Sequence, residues 1–256
     1  MHYTITGKGK AVVLLHGFIE EGSMWQTIAK QLSETYRVII PDLPGFGHSA
    51  LGKLQPKLSM DWYAEAVYKM LKEAGIKKCV MLGHSMGGYI TLYFAEKHPE
   101  MLTGFGLINS HCFADTDEKK KNRKKGIDFI KRHGSNLFVT ELYNSIFTDT
   151  YISKNRKFVN SLIAKAAEYT PEALMQANRA MMEREDKSMV LKKAKVPVLF
   201  IAGKDDQSSP LAYTLKQAAM PAIADVHIFS NSKHMSIFER KAEALNAIQS
   251  FLQLIE

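Results

Sequence analysis

Short apolar runs alternating with helical patterns constrain the fold of this chain more than any other feature. The runs include "AVVLLHG" (Ala11 to Gly17), "KKCVMLGHS" and "VPVLFIAG" (Val196 to Gly203). Segments between them, such as "MDWYAEAVYKMLKEAG", repeat apolar residues at helical spacing. Strands that are apolar on both faces belong to a parallel sheet covered by helices on each side. The sequence therefore predicts an α/β fold with a mostly parallel central sheet.

The same rhythm predicts the remaining elements and one interruption. Further strands are expected in "YRVIIPDLPG", "LTGFGLINS" and "ADVHIFS", and further helices in "SMWQTIAKQLSE", "MGGYITLYFAEKHPE", Leu211 to Met220 and Lys241 to Ile255. Between Cys112 and Lys195 no strand pattern is found, and polar breaks fall near Gly134, Thr150 and Thr170-Pro171. Thr170 suits a helix N-cap, and Pro171 suits the first helical turn. We expect a core domain of residues 1–111 and 195–256, with an insertion of about four helices at 112–194.

The composition limits the classes of function. The 256 residues carry a formal net charge of +8, but no nucleic-acid-binding signature accompanies it. The densest basic stretch runs from Lys119 to Lys125. We interpret it as a solvated helix face, with a patch for acidic substrates or partners as the alternative. Small-molecule substrates are therefore expected, and no nucleic acid.

Cysteine content and hydropathy indicate the compartment. Cys79 and Cys112 form neither a disulfide scaffold nor a metal-ligand pair, which favours a reducing compartment. The N-terminal "MHYTITGKGK" has no signal-peptide apolar stretch, and no apolar run is long enough to span a membrane. We expect a cytoplasmic protein with no membrane partner, no metal and no cofactor. The sequence does not indicate an oligomeric state.

Ser85 is the strongest candidate for chemistry. It lies between the predicted strand Val80 to Leu82 and a predicted helix that begins near Met86, and Gly83 and Gly87 flank it in a G-x-S-x-G pattern. A turn this sharp strains the serine backbone and leaves no room for side chains at the two glycines. The hydroxyl is expected at the carboxyl end of the sheet and at a helix N-terminus, which favours negative charge.

Several motifs together resemble a known family. "LLHGF", "DLPGFGHS" (Asp42 to Ser49), "GHSMGG", "GKDD" and "SKHMSIFE" occur in this order along nearly the whole chain. The sequence resembles the α/β-hydrolase superfamily in these motifs, with the serine on a nucleophile elbow. The resemblance implies that the helical insertion is a cap, or lid, over the active site.

The resemblance also implies a catalytic triad. A serine nucleophile needs a histidine base, which a carboxylate orients, and the superfamily has them in the chain order Ser, acid, His. Asp206 is the expected acid because the family usually has Gly-x-x-Asp after this strand and Gly203 sets the register; Asp205 is the alternative. His234 follows the last predicted strand and is the expected base.

Further residues are expected around the triad. The oxyanion hole would use the N–H groups of Met86 and Phe18. For His16 we prefer a structural role within its loop, and His84 is expected to help hold the elbow. Tyr89 and His111 are candidate substrate-binding residues. The methionines of the insertion are interpreted as helix packing, with an adaptable apolar wall as the alternative; they are Met175, Met181, Met182 and Met189.

The leading functional hypothesis is a serine hydrolase that cleaves carboxylic esters of small to medium size. Within the superfamily, dehalogenases and epoxide hydrolases use an Asp nucleophile. A serine at position 85 therefore disfavours both of these functions. The sequence also looks like the lyase of menaquinone synthesis, although that family tends to have an Arg where this chain has Tyr89. The second hypothesis is a C–C bond hydrolase or lyase that acts on an acidic metabolite. A preference for anionic substrates that depends on Arg123 and Lys124 would support it. The third is a hydrolase-like ligand receptor without turnover.

Overall fold

The computed structural model describes residues 1–51 and 57–255. The predicted core range therefore includes residues 52–56 and 256, which lie outside the described residues. The strands are β1 (Tyr3–Thr6), β2 (Ala11–Leu15), β3 (Arg37–Pro41), β4 (Cys79–His84), β5 (Leu102–Ile108), β6 (Val198–Gly203) and β7 (Ala224–Phe229).

The helices follow the predicted alternation. They are α1 (Gln26–Leu32), α2 (Met60–Glu73), α3 (Met86–Lys97), α4 (Asp117–His133), α5 (Ser135–Ile146), α6 (Asp149–Lys154), α7 (Arg156–Ala166), α8 (Pro171–Met182), α9 (Ser188–Lys192), α10 (Leu211–Ala218), α11 (Ser236–Glu239) and α12 (Lys241–Leu254). Short 3₁₀ turns precede α1 and β5.

The strands form one sheet in the order β1-β3-β2-β4-β5-β6-β7. All neighbouring pairs are parallel except β1 with β3, which is antiparallel. The prediction of a mostly parallel α/β sheet is confirmed. Strand β1 was not predicted: Tyr3–Thr6 alternates larger side chains with threonines, but a run of only four residues is a weak signal for a strand.

The core lies on both faces of the central strands. Every residue of β4 and of β6 is buried, as expected for parallel strands covered by helices. At one edge of the sheet, β7 alternates between exposed and half-buried residues over most of its length. Because the parallel strands run in one direction, the segments that follow β4, β5, β6 and β7 meet at a single edge of the sheet.

Between β5 and β6 the chain forms α4 to α9, so the prediction of about four helices is wrong in number. The break expected near Thr150 lies earlier, at Phe147 and Thr148, and the Thr148 side chain accepts a hydrogen bond from the Tyr151 N–H to cap α6. Short helices such as α6 and α9 are too brief to show a helical period in the sequence. The predicted break at Gly134 and the Thr170 N-cap are confirmed.

A helix that crosses a membrane must be both long and apolar. Across residues 1–51 and 57–255, no helix combines the length and the apolar character needed to cross a bilayer.

Candidate active site

Ser85 occupies the strained turn between β4 and α3. Its φ of 50° and ψ of −113° lie in a region that L residues with a side chain rarely adopt. A Cβ atom at Gly83 would overlap the Gly87 carbonyl, and one at Gly87 would lie 2.6 Å from the Leu15 carbonyl oxygen. The expected strain at the serine and the need for glycine at both positions are confirmed.

The hydroxyl of Ser85 lies within hydrogen-bond distance of His234. Its Oγ is 2.8 Å from His234 Nε2, and His234 Nδ1 is 2.8 Å from Asp206 Oδ2. The network assigns the Nδ1–H tautomer, which donates to the carboxylate and leaves Nε2 to accept the Ser85 proton. The structure thus brings together the three side chains that the sequence predicted for the triad.

Asp206, and not Asp205, faces the histidine. Asp205 is exposed, whereas Asp206 is 4% exposed. Burial raises the pKa of the Asp206 carboxyl, but the His234 ring and hydrogen bonds from the Ser209 N–H and the Asn109 amide outweigh it, so the pKa is held below its usual value. The carboxylate is therefore ionised at neutral pH, as a group that orients an imidazole must be.

The sequence analysis missed the role of Asn109. Its amide Nδ2 donates to Asp206 Oδ2 over 3.0 Å and to the Lys233 carbonyl over 3.1 Å, which ties the acid to the loop that carries the histidine. Its φ is 46°, a conformation that asparagine tolerates better than most residues. An asparagine immediately after a strand that ends at the edge bearing Ser85 was the available signal.

Two further histidines are structural. His16 Nδ1 lies 2.8 Å from the Gly17 carbonyl, and its Nε2 accepts from the Leu43 N–H, which supports the role we preferred for it within the loop. His84 Nε2 donates to the His234 carbonyl oxygen over 2.9 Å and so joins the elbow to the histidine loop. Burial lowers the pKa of both rings, to about 4 and about 3 respectively, so both are neutral at pH 7.

A cavity of about 220 Å³ opens onto Ser85 and His234. Phe18, Phe138 and Leu142 supply part of its apolar wall. Tyr89 lines it as predicted, and Met181 is the one methionine of the four considered that does so. His111 does not: it is buried beside the Tyr89 ring, with centroids 5.5 Å apart, and lines a separate small cavity.

The basic stretch of α4 is not a uniformly solvated face. Lys121, Lys124 and Lys125 are exposed, but Lys119 and Arg123 are half-buried and line the cavity with Asn122. Lys119 and Arg123 are four residues apart and therefore share one side of the helix. The preferred interpretation is wrong for these two residues and holds for the three exposed lysines.

The loop after β2 supplies the predicted oxyanion donor Phe18. Its side chain lines the cavity, and neither its N–H nor that of Met86 donates to another part of the described chain. Beyond it, Ile19 has a φ of 64°, and the buried carboxyl of Glu20 accepts a hydrogen bond of 2.8 Å from the Tyr143 hydroxyl. Tyr143 belongs to α5, so this bond joins the loop to the helical insertion.

One group of side chains outside the cavity has the composition of a metal site. Ligand atoms of His2, Asp42 and His48 lie within 4.8 Å of one another. Asp42 already accepts hydrogen bonds from the backbone N–H groups of Gly22 and His48 and so fixes the "DLPGFGHS" loop. No residue of this group lines the cavity that contains Ser85.

Comparison with known proteins assigns the chain to a family. Residues 10–131 match the family model of the alpha/beta hydrolase fold. A thermophilic esterase from Thermogutta terrifontis, solved with malate bound, superimposes with a TM-score of 0.93 over 99% of this chain and 93% of that one, at 26% identity. The chain belongs to the α/β-hydrolase superfamily.

Relatives of this α/β-hydrolase include two kinds of hydrolase. A 2-hydroxy-6-oxo-6-phenylhexa-2,4-dienoate hydrolase from Burkholderia cepacia is 28% identical over 97% of this chain and 89% of that protein. A pimeloyl-[acyl-carrier protein] methyl ester esterase from Aeromonas hydrophila is 40% identical, but over only 44% of this chain and 42% of that protein. The α/β-hydrolase is therefore similar both to enzymes that act on esters and to a dienoate hydrolase.

Proposed function

We propose that this α/β-hydrolase cleaves carboxylic esters of small to medium size through a Ser85–His234–Asp206 triad. The observation that carries the proposal is the continuous hydrogen-bonded line from Ser85 Oγ through the His234 ring to Asp206 Oδ2, with 2.8 Å at each step. The line ends in the cavity on one side and in a buried carboxylate on the other. This is the arrangement that activates a serine hydroxyl.

The reaction has two halves. In the first, His234 Nε2 takes the Ser85 proton while Oγ attacks the ester carbonyl, and the imidazolium then protonates the departing alcohol. In the second, His234 takes a proton from a water molecule whose oxygen attacks the acyl-enzyme carbonyl, and the imidazolium then returns a proton to Ser85 Oγ as the acid is released. Asp206 stabilises the imidazolium in both halves.

The N–H groups of Met86 and Phe18 are proposed to stabilise the oxyanion. Met86 follows the nucleophile at the start of α3, where backbone N–H groups have no helical partner. Phe18 lies in a loop that the Glu20–Tyr143 hydrogen bond and the His16 contacts hold in place. Donors held before the reaction begins need no reorganisation when the charge develops.

The insertion, residues 112–194, is proposed to act as a cap that sets substrate size. Side chains from α4, α5 and α8 line the cavity, among them Phe138, Leu142 and Met181. Pockets for drug-sized ligands measure about 300–1,000 Å³. A cavity of about 220 Å³ is smaller, which favours compact acyl groups.

Turnover of a panel of aryl and alkyl esters by the wild type and by Ser85→Ala tests the proposal. Because the serine supplies the nucleophile, kcat should fall by at least about 10³-fold in the variant. Ser153→Ala, at an exposed serine of α6, is the matched control and should leave kcat unchanged. Equal turnover by the wild type and Ser85→Ala would refute the serine mechanism.

A C–C bond hydrolase is the second candidate function. The 28% identity to the dienoate hydrolase extends over nearly the full length of both chains, and the same triad and oxyanion donors would serve that chemistry. Cleavage of a vinylogous 1,5-diketone, monitored as the loss of the absorbance of the diketone, distinguishes this activity from ester hydrolysis. A kcat/KM for the diketone well above that for every ester in the panel would favour it.

A further inference from the structure

The cavity that contains Ser85 has a cationic wall, formed by Lys119, Asn122 and Arg123 of α4. Apolar side chains make up much of the remaining lining, including Phe138 and Leu142. A purely hydrophobic acyl group would form no favourable contact with the two cationic side chains of this wall. The positive charge of the wall therefore indicates a negatively charged group in its neighbourhood.

Charges around the wall do not balance. Asp115 is buried and pairs with both Arg123 and Arg184, so a single carboxylate faces two guanidinium groups. Lys119 adds a third cation and forms no ion pair with a carboxylate among residues 1–51 and 57–255. Burial and Arg184 lower the pKa of His111 to about 3, so this ring is neutral at pH 7 and adds no further positive charge.

The carboxylate of Asp206, the other one at the site, does not pair with Lys119. Asp206 accepts from the His234 ring and from Asn109. Burial, together with the neighbouring Arg123, lowers the pKa of the Lys119 ammonium, which marks a cation with less hydration and less counter-charge than a surface lysine has. A partly desolvated cation without a partner costs free energy, which an incoming anion would recover.

We propose that the cavity selects substrates with a carboxylate in addition to the reacting ester, and that Lys119 binds this carboxylate with help from the Asn122 amide. Arg123 does not serve as the primary contact, because Asp115 and Asn178 already hold its guanidinium. The substrates are monoesters of short dicarboxylic acids. This proposal rests on the proposed ester hydrolysis and adds a specificity-determining residue to it.

Matched pairs of methyl esters test the proposal: monomethyl glutarate with methyl pentanoate, and monomethyl adipate with methyl hexanoate. Members of a pair differ only by a terminal carboxylate in place of a methyl group. For at least one pair the wild-type kcat/KM should favour the carboxylate by about tenfold or more, the range expected for a hydrogen bond to a charged group. Lys119→Met should abolish the preference by raising KM for the carboxylate-bearing esters about tenfold or more.

Two variants make the result specific. Lys119→Arg keeps the charge and should keep most of the preference, whereas Lys121→Met removes an exposed cation of the same helix and should change nothing. Absence of a preference in the wild type, or a preference that survives Lys119→Met in a variant with wild-type melting temperature, would overturn the proposal.

Failure of ester hydrolysis has a different signature. If neither series of esters is turned over in a Ser85-dependent manner, the proposed function fails. Calorimetric measurement of glutarate binding then tests the carboxylate-binding site independently of ester hydrolysis. Binding that weakens about tenfold or more in Lys119→Met and not in Lys121→Met supports the site. Equal binding by the wild type and both variants refutes it.

Discussion

Replacement of Glu20 by glutamine should change how the stability of the protein depends on pH. Glu20 lies in the loop after β2, is 4% exposed and accepts a hydrogen bond from the Tyr143 hydroxyl. Burial is the main cause that raises its pKa to about 8, from 4.5 for an exposed carboxyl. The Tyr143 hydrogen bond opposes this rise, but burial outweighs it.

The sign of the effect follows from the direction of this pKa change. The folded protein holds the proton more tightly than the unfolded chain, so the stabilisation is fully present below pH 4.5 and is lost as pH rises to about 8. At about 1.4 kcal/mol for each pH unit, the free energy of unfolding falls by at most about 3 kcal/mol between pH 6 and 8. Water entry and loop relaxation reduce this value.

Urea unfolding of the wild type, Glu20→Gln and Glu141→Gln at pH 6, 7 and 8 measures the effect. The amide of the Glu20→Gln variant keeps the shape and the acceptor oxygen but cannot ionise, so this variant should gain stability relative to the wild type as pH rises. Glu141 is exposed on α5, and its replacement should track the wild type. A constant difference between the wild type and Glu20→Gln across this range would show that Glu20 is ionised throughout and that the reasoning from burial is wrong.

Two further predictions concern the triad and the elbow. Asp206→Asn should lower kcat by about 10³- to 10⁴-fold in steady-state assays, because an amide cannot stabilise the His234 imidazolium or fix its tautomer; unchanged kcat would remove Asp206 from the mechanism. Gly83→Ala should lower the free energy of unfolding by several kcal/mol in urea titrations, because its Cβ would overlap the Gly87 carbonyl. Gly75→Asn, in open space at a φ of 70°, is the control, and its cost should stay below about 1 kcal/mol.

The sequence predicted those parts of the fold that depend on local periodicity. Buried strands such as β4 and β6 consist of unbroken apolar runs, and the glycines around Ser85 indicate a turn with no space for side chains. Strand β1 alternates over only four residues and depends on its partner β3, so it was missed. The number of helices in the insertion was underestimated because short helices depend on tertiary contacts more than on their own sequence.

Prediction of the site followed the same division. Ser85, Asp206 and His234 are placed by motifs at the ends of strands. A patch for acidic substrates was only the alternative interpretation of the basic run from Lys119 to Lys125, because the sequence does not reveal which side of α4 faces the cavity. Asn109 was also missed, since its role exists only where the segments after β5 and β6 meet.

Labelling with a fluorophosphonate, followed by mass spectrometry of the modified peptide, tests the central claim most directly. The wild type should carry one adduct, on Ser85. The labelling rate of His234→Ala should be lower by at least about 100-fold, because Ser85 then lacks its base. Modification of a different residue, or equal labelling rates for the wild type and His234→Ala, would contradict the account.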